Sequence, residues 1–574
     1  MTQDRYDLAF GSGHDTGKRW NWDTLTMGAA LADSATRYPQ QLALIDGDER
    51  ITFSELDRRA DALAHGLRDI NVQRGDRVAL WLTNCASWVM CWVACSRIGA
   101  VVVPINTRFK TEEVQYILRH SDARALIMMD RYWNIDFLNM VRDMLPGMGS
   151  AKPGEIVCDA LPELRSVILW KNLRAPGTFS LDDVVVRGEA QRFGGATLPP
   201  ANPKDAIIIV YTSGTTGHPK GAMHSHIILR NVANISRWMR IEPGDVILGH
   251  MPFYHVAGAF TAVSAALLTG CALVTLPQWI VDEALEVIER ERVTIFGGIP
   301  THFVDCLDSI RRTPRDTSCL KSAWIGGAPV TPDVALASKT ELKLDGLLAV
   351  YGMTETTAAT CFSEFDAPLE VLCDNKGRPI GEFEVKVCNA DSGREMPAGE
   401  TGEVWVRGHI VMMGYYKNPQ ATAEVMTPDG WFKTGDLGVF DDAGYLKITG
   451  RLKDMFIVGG SNAYPAEIER MLQSHPKVKQ AVVVGVPDWR LGEVGMAFVQ
   501  LHDGESVEAL ELSAYCRERM ADYKVPRHIR FVGDFPRTPT GKIQRFVLAG
   551  QAKSDMAATA VAPLAATSPG HEAA

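Results

Sequence analysis

The stretch Tyr211–Gly221, with the sequence YTSGTTGHPKG, constrains the fold of this chain more than any other segment. It follows the short, continuous and β-branched run Ala206–Val210, which predicts a buried strand that delivers the stretch to the edge of a sheet. The stretch combines four Ser/Thr hydroxyls, three glycines and one lysine. Because glycine lets backbone amides approach a ligand closely and lysine adds a cation, this combination suits a polyphosphate.

The alternative interpretation of this stretch is a flexible Gly/Thr loop without a ligand. It is not a Walker A motif, because Gly221 follows Lys220 where that motif has Ser or Thr. The density of phosphate-binding groups favours the functional interpretation. The candidate phosphate-binding residues are Thr212, Ser213, Gly214, Thr215, Thr216, Gly217 and Lys220.

Length and composition limit the classes of protein to consider. A chain of 574 residues is too long for one core, so we expect at least two domains. Its 46% hydrophobic and 22% charged residues are typical of a soluble globular protein, and a net charge of −10 argues against nucleic acid as the main partner. Eleven scattered cysteines without a C-x-x-C pair favour reduced thiols in a cytoplasmic protein and give a metal site little support.

No targeting or membrane segment is predicted. The N-terminus lacks a basic segment followed by an apolar run, so we expect no signal peptide. The most apolar stretch, Ser87–Pro104, is interrupted by Arg97 and Gly99 and is short for a membrane span, so a core helix running into a strand is the better interpretation. A homo-oligomer is compatible with the sequence, which does not decide the oligomeric state.

Strands and helices alternate over Arg77–Val350, which predicts wound α/β layers. Within this region we expect a helix at His224–Arg240 and a long apolar helix at Ala259–Leu268. Two predicted strands, Ser322–Ile325 and Leu347–Val350, end in the loops GGAP and YGMTET. Because ligands bind at the carboxyl ends of strands in such sheets, these loops are expected to share a site.

The pattern changes in the last third of the chain. Residues 376–450 predict short strands separated by Gly, Pro and Asp turns, in a small β-barrel or distorted sheet. After the polar segment GRLKD, Gly450–Asp454, strands and helices predict a compact α+β domain.

Two regions are expected to have little regular structure. Residues 145–200 are expected to be irregular around one strand, and the Ala-rich end is expected to be a disordered tail.

Six motifs occur in a fixed order along the chain: YTSGTTGHPKG, GGAP, YGMTET, WFKTGD, GRLKD and PRTPTGK. Together they resemble the acyl-adenylate-forming superfamily, which includes acyl-CoA synthetases, adenylation domains and luciferases. The resemblance covers roughly residues 25–549, and chance coincidence of six ordered motifs is very improbable.

The resemblance implies an α/β fold with a large multi-subdomain N-terminal domain and a small mobile α+β C-terminal domain. The large domain, residues 1–450, would contain two wound α/β layers and a small β-barrel. Residues 451–453 would be a hinge, 454–550 the C-terminal lid domain and 551–574 a disordered tail. The implied activity is that of a carboxylic acid:CoA ligase, which uses ATP, Mg²⁺ and coenzyme A and passes through an acyl-AMP intermediate.

Glu355 is a lone acid in a Gly/Thr-rich loop, where its simplest interpretation is a surface or capping carboxylate. The resemblance implies instead that it holds Mg²⁺ against the ATP phosphates, a task that needs a hard anionic oxygen. It also implies phosphate contacts for Thr354 and Thr216, and a share in catalysis for Thr216.

Asp436 is either a turn aspartate or, as the resemblance implies, a bidentate acceptor for the ribose hydroxyls. Arg451 would be its cationic companion, and Tyr351 would lie against adenine. Ala349 stands where many relatives have a polar side chain, so we expect no side-chain contact to the adenine amino group from that position. The further nucleotide or CoA residues implied are Gly327, Ala328, Gly352, Gly459 and Gly460.

Two lysines of the C-terminal part have implied roles. By frequency alone, Lys542 would be an exposed loop lysine. The resemblance implies that it is the catalytic lysine, because carboxylate attack on the α-phosphorus builds charge that a positioned cation stabilises. Acylation would remove this cation and, by hypothesis, stop adenylation. Lys453 matches the hinge position, and Gly459 and Gly460 would line a pantetheine channel, although an ordinary Gly turn is an equal reading of the local sequence.

The acyl pocket is implied by position within the motifs. His255 is either a core histidine or, as the resemblance implies, a positioning residue at the edge of this pocket. Acetate-specific relatives have Trp at the position of Gly352, so glycine is expected to leave the pocket floor open for a larger acid. The candidate pocket residues are Trp238, Phe253, His255, Val256, Gly327, Gly352 and Cys361.

A medium-chain fatty acid is the first choice of substrate, with aryl or alicyclic acids close behind. The rival functions are loading of a separate carrier protein, a luciferase-like oxygenase and a non-catalytic nucleotide-binding protein. CoA dependence distinguishes the first rival and light output the second. The third predicts loss of Lys542, Glu355 or Asp436, and all three residues are present.

Overall fold

The computed structural model describes residues 20–212, 219–327, 330–374, 376–458, 461–488, 490–520, 522–537 and 542–560. The chain divides into two compact units. The first unit comprises Met1–Lys386, Trp405–Lys433 and Ala443–Lys447. The second comprises Val387–Val404, Thr434–Asp442 and Ile448–Ala574. This division crosses the chain several times, and the single boundary at residue 450 stays a prediction.

The first unit contains an eight-stranded sheet with parallel strands at its centre. In it, Ala206–Thr212 pairs antiparallel with Lys220–Ser225, so that Thr212 lies opposite Lys220. In spatial order the strands are Gly414–Tyr415, Lys220–Ser225, Ala206–Thr212, Val101–Pro104, Arg77–Trp81, Ala123–Met128, Ser166–Leu169 and Phe179–Ser180.

A second large sheet of this unit is parallel from Leu42–Asp46 to Gly346–Tyr351. In spatial order, the strands of this sheet that lie entirely in the first unit are Glu49–Thr52, Leu42–Asp46, Ala272–Thr275, Val246–Gly249, Ile295–Gly298, Ser322–Gly326, Gly346–Tyr351, Cys361–Phe362 and Lys376–Pro379. The division between the units passes through each of the strands Glu384–Cys388, Gly402–Arg407, Phe432–Phe440 and Leu446–Arg451. These lie where short strands were predicted.

Both faces of the parallel sheet are buried. Successive side chains of a strand point to opposite faces, so each strand contributes to the core on both sides. Ile247, Ile295 and Trp324 belong to the hydrophobic cluster on one face. Leu248 and Phe296 belong to the cluster on the other face. The continuous apolar runs in these strands follow from this double burial.

Helices connect and cover the strands, and several begin at side-chain caps. The hydroxyl of Thr52, for example, accepts a hydrogen bond from the backbone N–H of Glu55 at 3.2 Å. The α-helices in the described part of the first unit are Met27–Arg37, Phe53–Asp69, Ala86–Ile98, Thr111–His120, Phe137–Met144, Leu181–Phe193, Ile228–Trp238, Val256–Gly258, Ala265–Thr269, Val281–Glu291, Pro300–Arg312, Pro332–Thr340, Leu369–Cys373 and Pro419–Val425.

The second unit has its own five-stranded sheet and hydrophobic core. Its strands are Ser461–Ala463, Phe456–Val458, Gly492–Leu501, Val478–Asp488 and His528–Phe531. Its α-helices are Pro465–Gln473, Ala509–Arg517 and Arg545–Ala560. The last helix includes residues 551–560, which were expected to belong to a disordered tail.

Three local predictions differ from the structure. Lys220–Ser225 is a strand, so the helix predicted from His224 begins only at Ile228. The predicted apolar helix at Ala259–Leu268 contains a π-helical segment, Ala259–Ser264. The region expected to be irregular contains the helix Leu181–Phe193, which begins where the hydroxyl of Ser180 accepts from the N–H of Asp183.

No helix in the described part of the chain is long and apolar enough to cross a membrane.

Candidate active site

Four neighbouring parallel strands end at one edge of the second sheet: Val246–Gly249, Ile295–Gly298, Ser322–Gly326 and Gly346–Tyr351. The segments that follow three of them carry the motifs PFYH, GGAP and YGMTET. The strands that lead into GGAP and YGMTET therefore end at one sheet edge, as the strand pattern indicated. The segment PFYH follows a third strand of the same edge.

Glu355 lies in the short 3₁₀ helix Thr354–Thr356 and is only 7% exposed. Its Oε1 accepts a hydrogen bond from the hydroxyl of Tyr415 at 2.9 Å. Its backbone carbonyl accepts one from the N–H of Met412 at 2.8 Å. Burial and the neighbouring carboxylate raise the pKa of Tyr415, so that its hydroxyl remains a donor.

Tyr415 also contacts Lys220, at the end of the predicted phosphate-binding stretch. The Nζ of Lys220 lies 5.2 Å from the centre of the Tyr415 ring, a distance typical of a cation–π contact. The carbonyl of Lys220 accepts a hydrogen bond from Thr212 Oγ1 at 3.4 Å. A cation, a phenol and a buried carboxylate from three separate segments therefore lie side by side. No sequence motif identifies Tyr415, because the residues that it contacts are distant along the chain.

The loop after Glu355 has an unusual backbone. Thr357 and Ala358 adopt positive φ values of 56° and 67°, which side-chain-bearing residues rarely do. The buried amide of Asn231 donates hydrogen bonds to the carbonyls of Thr357 and Ala359, at 3.3 and 2.8 Å. Asn231 thus compensates for the local strain and fixes the loop that carries Glu355.

Gly352 does not border open space in the direction of a side chain. A Cβ added there would lie 2.1 Å from the carbonyl oxygen of Ala358. The expectation that glycine leaves the pocket floor open is wrong in this respect, because the backbone of Ala358 occupies that volume. Glycine is required here for the close approach of two backbone segments.

The other predicted pocket residues are largely engaged in the core. Half-buried His255 begins the helix Val256–Gly258, and its Nδ1 accepts a hydrogen bond from the N–H of Ala257 at 3.2 Å. Trp238 donates from Nε1 to the carbonyl of Ile380 at 3.0 Å. Phe253 packs edge-to-face on Trp88. Val256 and Cys361 are also buried, and Cys361 lies opposite Tyr351 in the sheet. Gly327, by contrast, is exposed.

In the second unit, Arg451 forms an ion pair with Asp436, with 3.0 Å between Nε and Oδ1. The backbone N–H of Asp436 donates to Thr434 Oγ1 at 3.0 Å. Asp436 is buried while Arg451 is about half exposed. The structure thus places together the two residues that the sequence assigned to the ribose.

The family comparisons decide the class of this protein. The pattern of the family described as AMP-binding enzyme matches residues 31–416, and that of the AMP-binding enzyme C-terminal domain matches residues 467–542. The chain belongs to the AMP-binding enzyme family. The family resemblance found in the sequence is thereby confirmed, as are the fold class and the enzyme class, an AMP-forming acid–CoA ligase.

Three relatives show which proteins this AMP-binding enzyme is similar to. YngI of Bacillus subtilis (strain 168), a candidate acyl-CoA synthetase by its name, is 36% identical over 91% of this chain and 96% of its own. The mitochondrial medium-chain acyl-CoA ligase ACSF2 of Bos taurus is 35% identical over 92% and 87%, respectively. The crystal structure of the anthranilate CoA ligase AuaEII with anthranoyl-AMP has a TM-score of 0.80 at 26% identity and covers 95% of this chain and 100% of its own.

The two lysines of this AMP-binding enzyme that were assigned roles in the C-terminal part are both exposed. Lys453 lies in the 3₁₀ helix Leu452–Asp454, where desolvation and then Arg451 lower its pKa. Several predicted site residues lie outside the described residues: Ser213, Gly214, Thr215, Thr216, Gly217, Ala328, Gly459 and Gly460.

A magnesium site fits the chemistry of Glu355. The described residues contain no cluster of three or more His, Cys, Asp or Glu side chains that could enclose a metal by themselves. Mg²⁺ is commonly held by one or two carboxylates together with phosphate oxygens and water. A single buried carboxylate with one oxygen fixed by Tyr415 matches that pattern.

Proposed function

We propose that this protein is a medium-chain fatty acid:CoA ligase, which joins acid, ATP and CoA into acyl-CoA, AMP and diphosphate. The observation that carries the choice of acid is the 35% identity with a medium-chain ligase over 92% of the chain. The apolar character of buried Trp238, Phe253 and Val256 supports the same choice.

The proposed first step is attack of the substrate carboxylate on the α-phosphorus of ATP, with diphosphate as leaving group. A carboxylate is already ionised at neutral pH, so this step needs no general base. We therefore assign His255 to positioning. Glu355 would hold Mg²⁺, which neutralises phosphate charge when bound, and Lys220 and Thr354 would bind phosphate oxygens.

We assign Asp436 to the ribose hydroxyls, with Arg451 as the ion-pair partner that orients its carboxylate. Lys542 is proposed to stabilise the charge that develops during adenylation. Lys453 is proposed as the hinge, whose rotation would replace the Lys542 face with the Gly459–Gly460 face for thioester formation.

The test is diphosphate release with ATP and Mg²⁺ over acids from acetate to long-chain and aryl acids, with and without CoA. We expect the highest kcat/KM for medium-chain acids, with AMP and acyl-CoA as products. The Lys542→Ala variant should lose adenylation by about 100-fold or more while largely keeping thioester formation from supplied acyl-AMP. Equal loss in both half-reactions would contradict the role of Lys542.

The alternative substrate is an aryl or alicyclic acid, which the structural similarity to an anthranilate CoA ligase favours. A preference for benzoate-like acids in the same panel would select it. Release that leaves acyl-AMP bound and ignores CoA would instead indicate loading of a carrier protein.

A further inference from the structure

A narrow apolar cavity lies on one face of the parallel sheet. It is lined by Ile247, Met251, Thr261, Ala262, Gly297 and Trp324 among others, all within the first unit. Its free space is about that of a single water molecule. Part of its wall closely follows the proposed acyl-site residue Val256 in the chain.

The helical wall of the cavity continues from the proposed substrate residues. Val256–Gly258 is directly followed by the π-helical segment Ala259–Ser264, which supplies Thr261 and Ala262. The hydroxyl of Thr261 donates to the carbonyl of Ala257, so this wall exposes no unpaired hydroxyl to the cavity. π-helical turns are rare and frequently occur at functional sites.

Trp324 forms part of the sheet wall of the cavity. This residue lies in the strand Ser322–Gly326, directly opposite Gly297 in the neighbouring parallel strand. A Cβ added to Gly297 would lie 2.0 Å from the indole Nε1 of Trp324. The indole therefore lies across Gly297 and fills the space that a smaller side chain would leave open. Trp324 is 8% exposed.

Trp324 also points to the face of the sheet that leads to the proposed adenylate site. Residues two apart in a strand share a face, so Trp324 and Gly326 lie on the same side. Gly326 ends this strand, and the loop GGAP begins there. An acyl chain that reaches this face beside Gly326 would run down it and meet the indole.

We propose that Trp324 is the floor of the acyl site and that its indole limits the length of the acid. This inference rests on the proposed function. Removal of the indole would extend the free space along Gly297, so longer chains would fit. A larger side chain at Ala262, on the opposite wall, would shorten this free space.

Two variants test the proposal in opposite directions. Trp324→Leu should raise the ratio of kcat/KM for dodecanoate over octanoate, and Ala262→Val should lower the ratio for octanoate over hexanoate. We expect changes of about tenfold, since a methylene group accepted or rejected by an apolar pocket is worth roughly 10- to 200-fold. Ratios are measured because a general loss of stability would lower all rates together.

Trp170→Leu is the matched control. Trp170 is a half-buried tryptophan of the same unit whose Nε1 donates to Ser87 Oγ at 3.0 Å, and it does not line the cavity. Its substitution should leave both ratios unchanged. An active enzyme whose ratios do not move in Trp324→Leu and Ala262→Val overturns the floor assignment alone. A wild-type enzyme that accepts no straight-chain acid overturns the proposed function and this inference with it.

Discussion

A single tyrosine links the motifs that the sequence marks for phosphate chemistry. Tyr415 donates a hydrogen bond to Glu355, and its ring lies under the ammonium group of Lys220. A hydrogen bond fixes one oxygen of a buried carboxylate and leaves the other to a ligand. Tyr415 is therefore a positioning residue for Glu355 rather than a group that reacts.

Tyr415→Phe should weaken adenylation. A hydrogen bond to a charged group contributes about 1.5–3 kcal/mol, so we expect kcat/KM for ATP to fall by roughly 10- to 150-fold. The Mg²⁺ concentration needed for half-maximal rate should rise as well, and Mn²⁺ binding followed by electron paramagnetic resonance provides a readout besides activity.

The neighbouring residue supplies the control for this variant. The hydroxyl of Tyr416 donates to Asp122 Oδ2 at 3.1 Å, away from Glu355. Tyr416→Phe removes the same atom one position along the chain and should leave the Mg²⁺ dependence as it is in the wild type. The positioning role fails if the two variants behave alike.

At the scale of elements, two helices approach each other through glycines. The helices Phe53–Asp69 and Leu181–Phe193 pack closely, and a Cβ on Gly188 would lie 1.7 Å from the carbonyl oxygen of Ala62. A Cβ on Gly66 would lie 1.9 Å from the carbonyl oxygen of Val184. Contacts with backbone atoms cannot be relieved by a side-chain rotation.

Gly188→Ala should therefore destabilise the protein. Overpacking of a close contact costs about 1–3 kcal/mol, and this value is expected from urea denaturation. Gly147→Ala is the control, because a Cβ there would meet no atom within 4 Å. It should be neutral or stabilise the protein by up to about 1 kcal/mol. A Gly188→Ala variant as stable as Gly147→Ala would contradict the close helix contact.

At the scale of the whole molecule, buried and half-buried histidines couple stability to pH. Desolvation lowers the pKa of His224, His226 and His302 to about 4, and that of His409 to about 3. In the unfolded chain these imidazoles titrate near pH 6.5. Between these values the unfolded state binds more protons, so the stabilising contribution is complete above pH 6.5 and is lost as the pH falls towards 4.

We expect the free energy of unfolding to fall by roughly 1 kcal/mol per pH unit for each of these histidines below about pH 6.5. Urea denaturation at several pH values between 7.5 and 4.5 measures this slope. His302→Gln should reduce it, whereas substitution of the exposed His502 should leave it unchanged. A stability that does not vary over this range would contradict the buried neutral state of the histidines.

The strands, the motifs and the family of this protein could be predicted from its sequence. Apolar periodicity located the strands, and the strand ends carried the motifs, because both depend on residues that are neighbours in the chain. The order of the motifs was sufficient to identify the family. The helix Leu181–Phe193 was missed because a run rich in Gly and Pro around it concealed a helix that is stabilised by packing on another helix.

The tertiary structure decided the contacts between residues far apart in sequence. Tyr415 meets Glu355 across 60 residues, and Trp324 fills the space above Gly297 only because two strands pair in one register. The Ala358 carbonyl beside Gly352 reversed the expectation of an open pocket floor. Such contacts depend on register and on backbone path, which local residue preferences do not encode, so the sequence identified the chemistry and the fold decided which distant side chains meet.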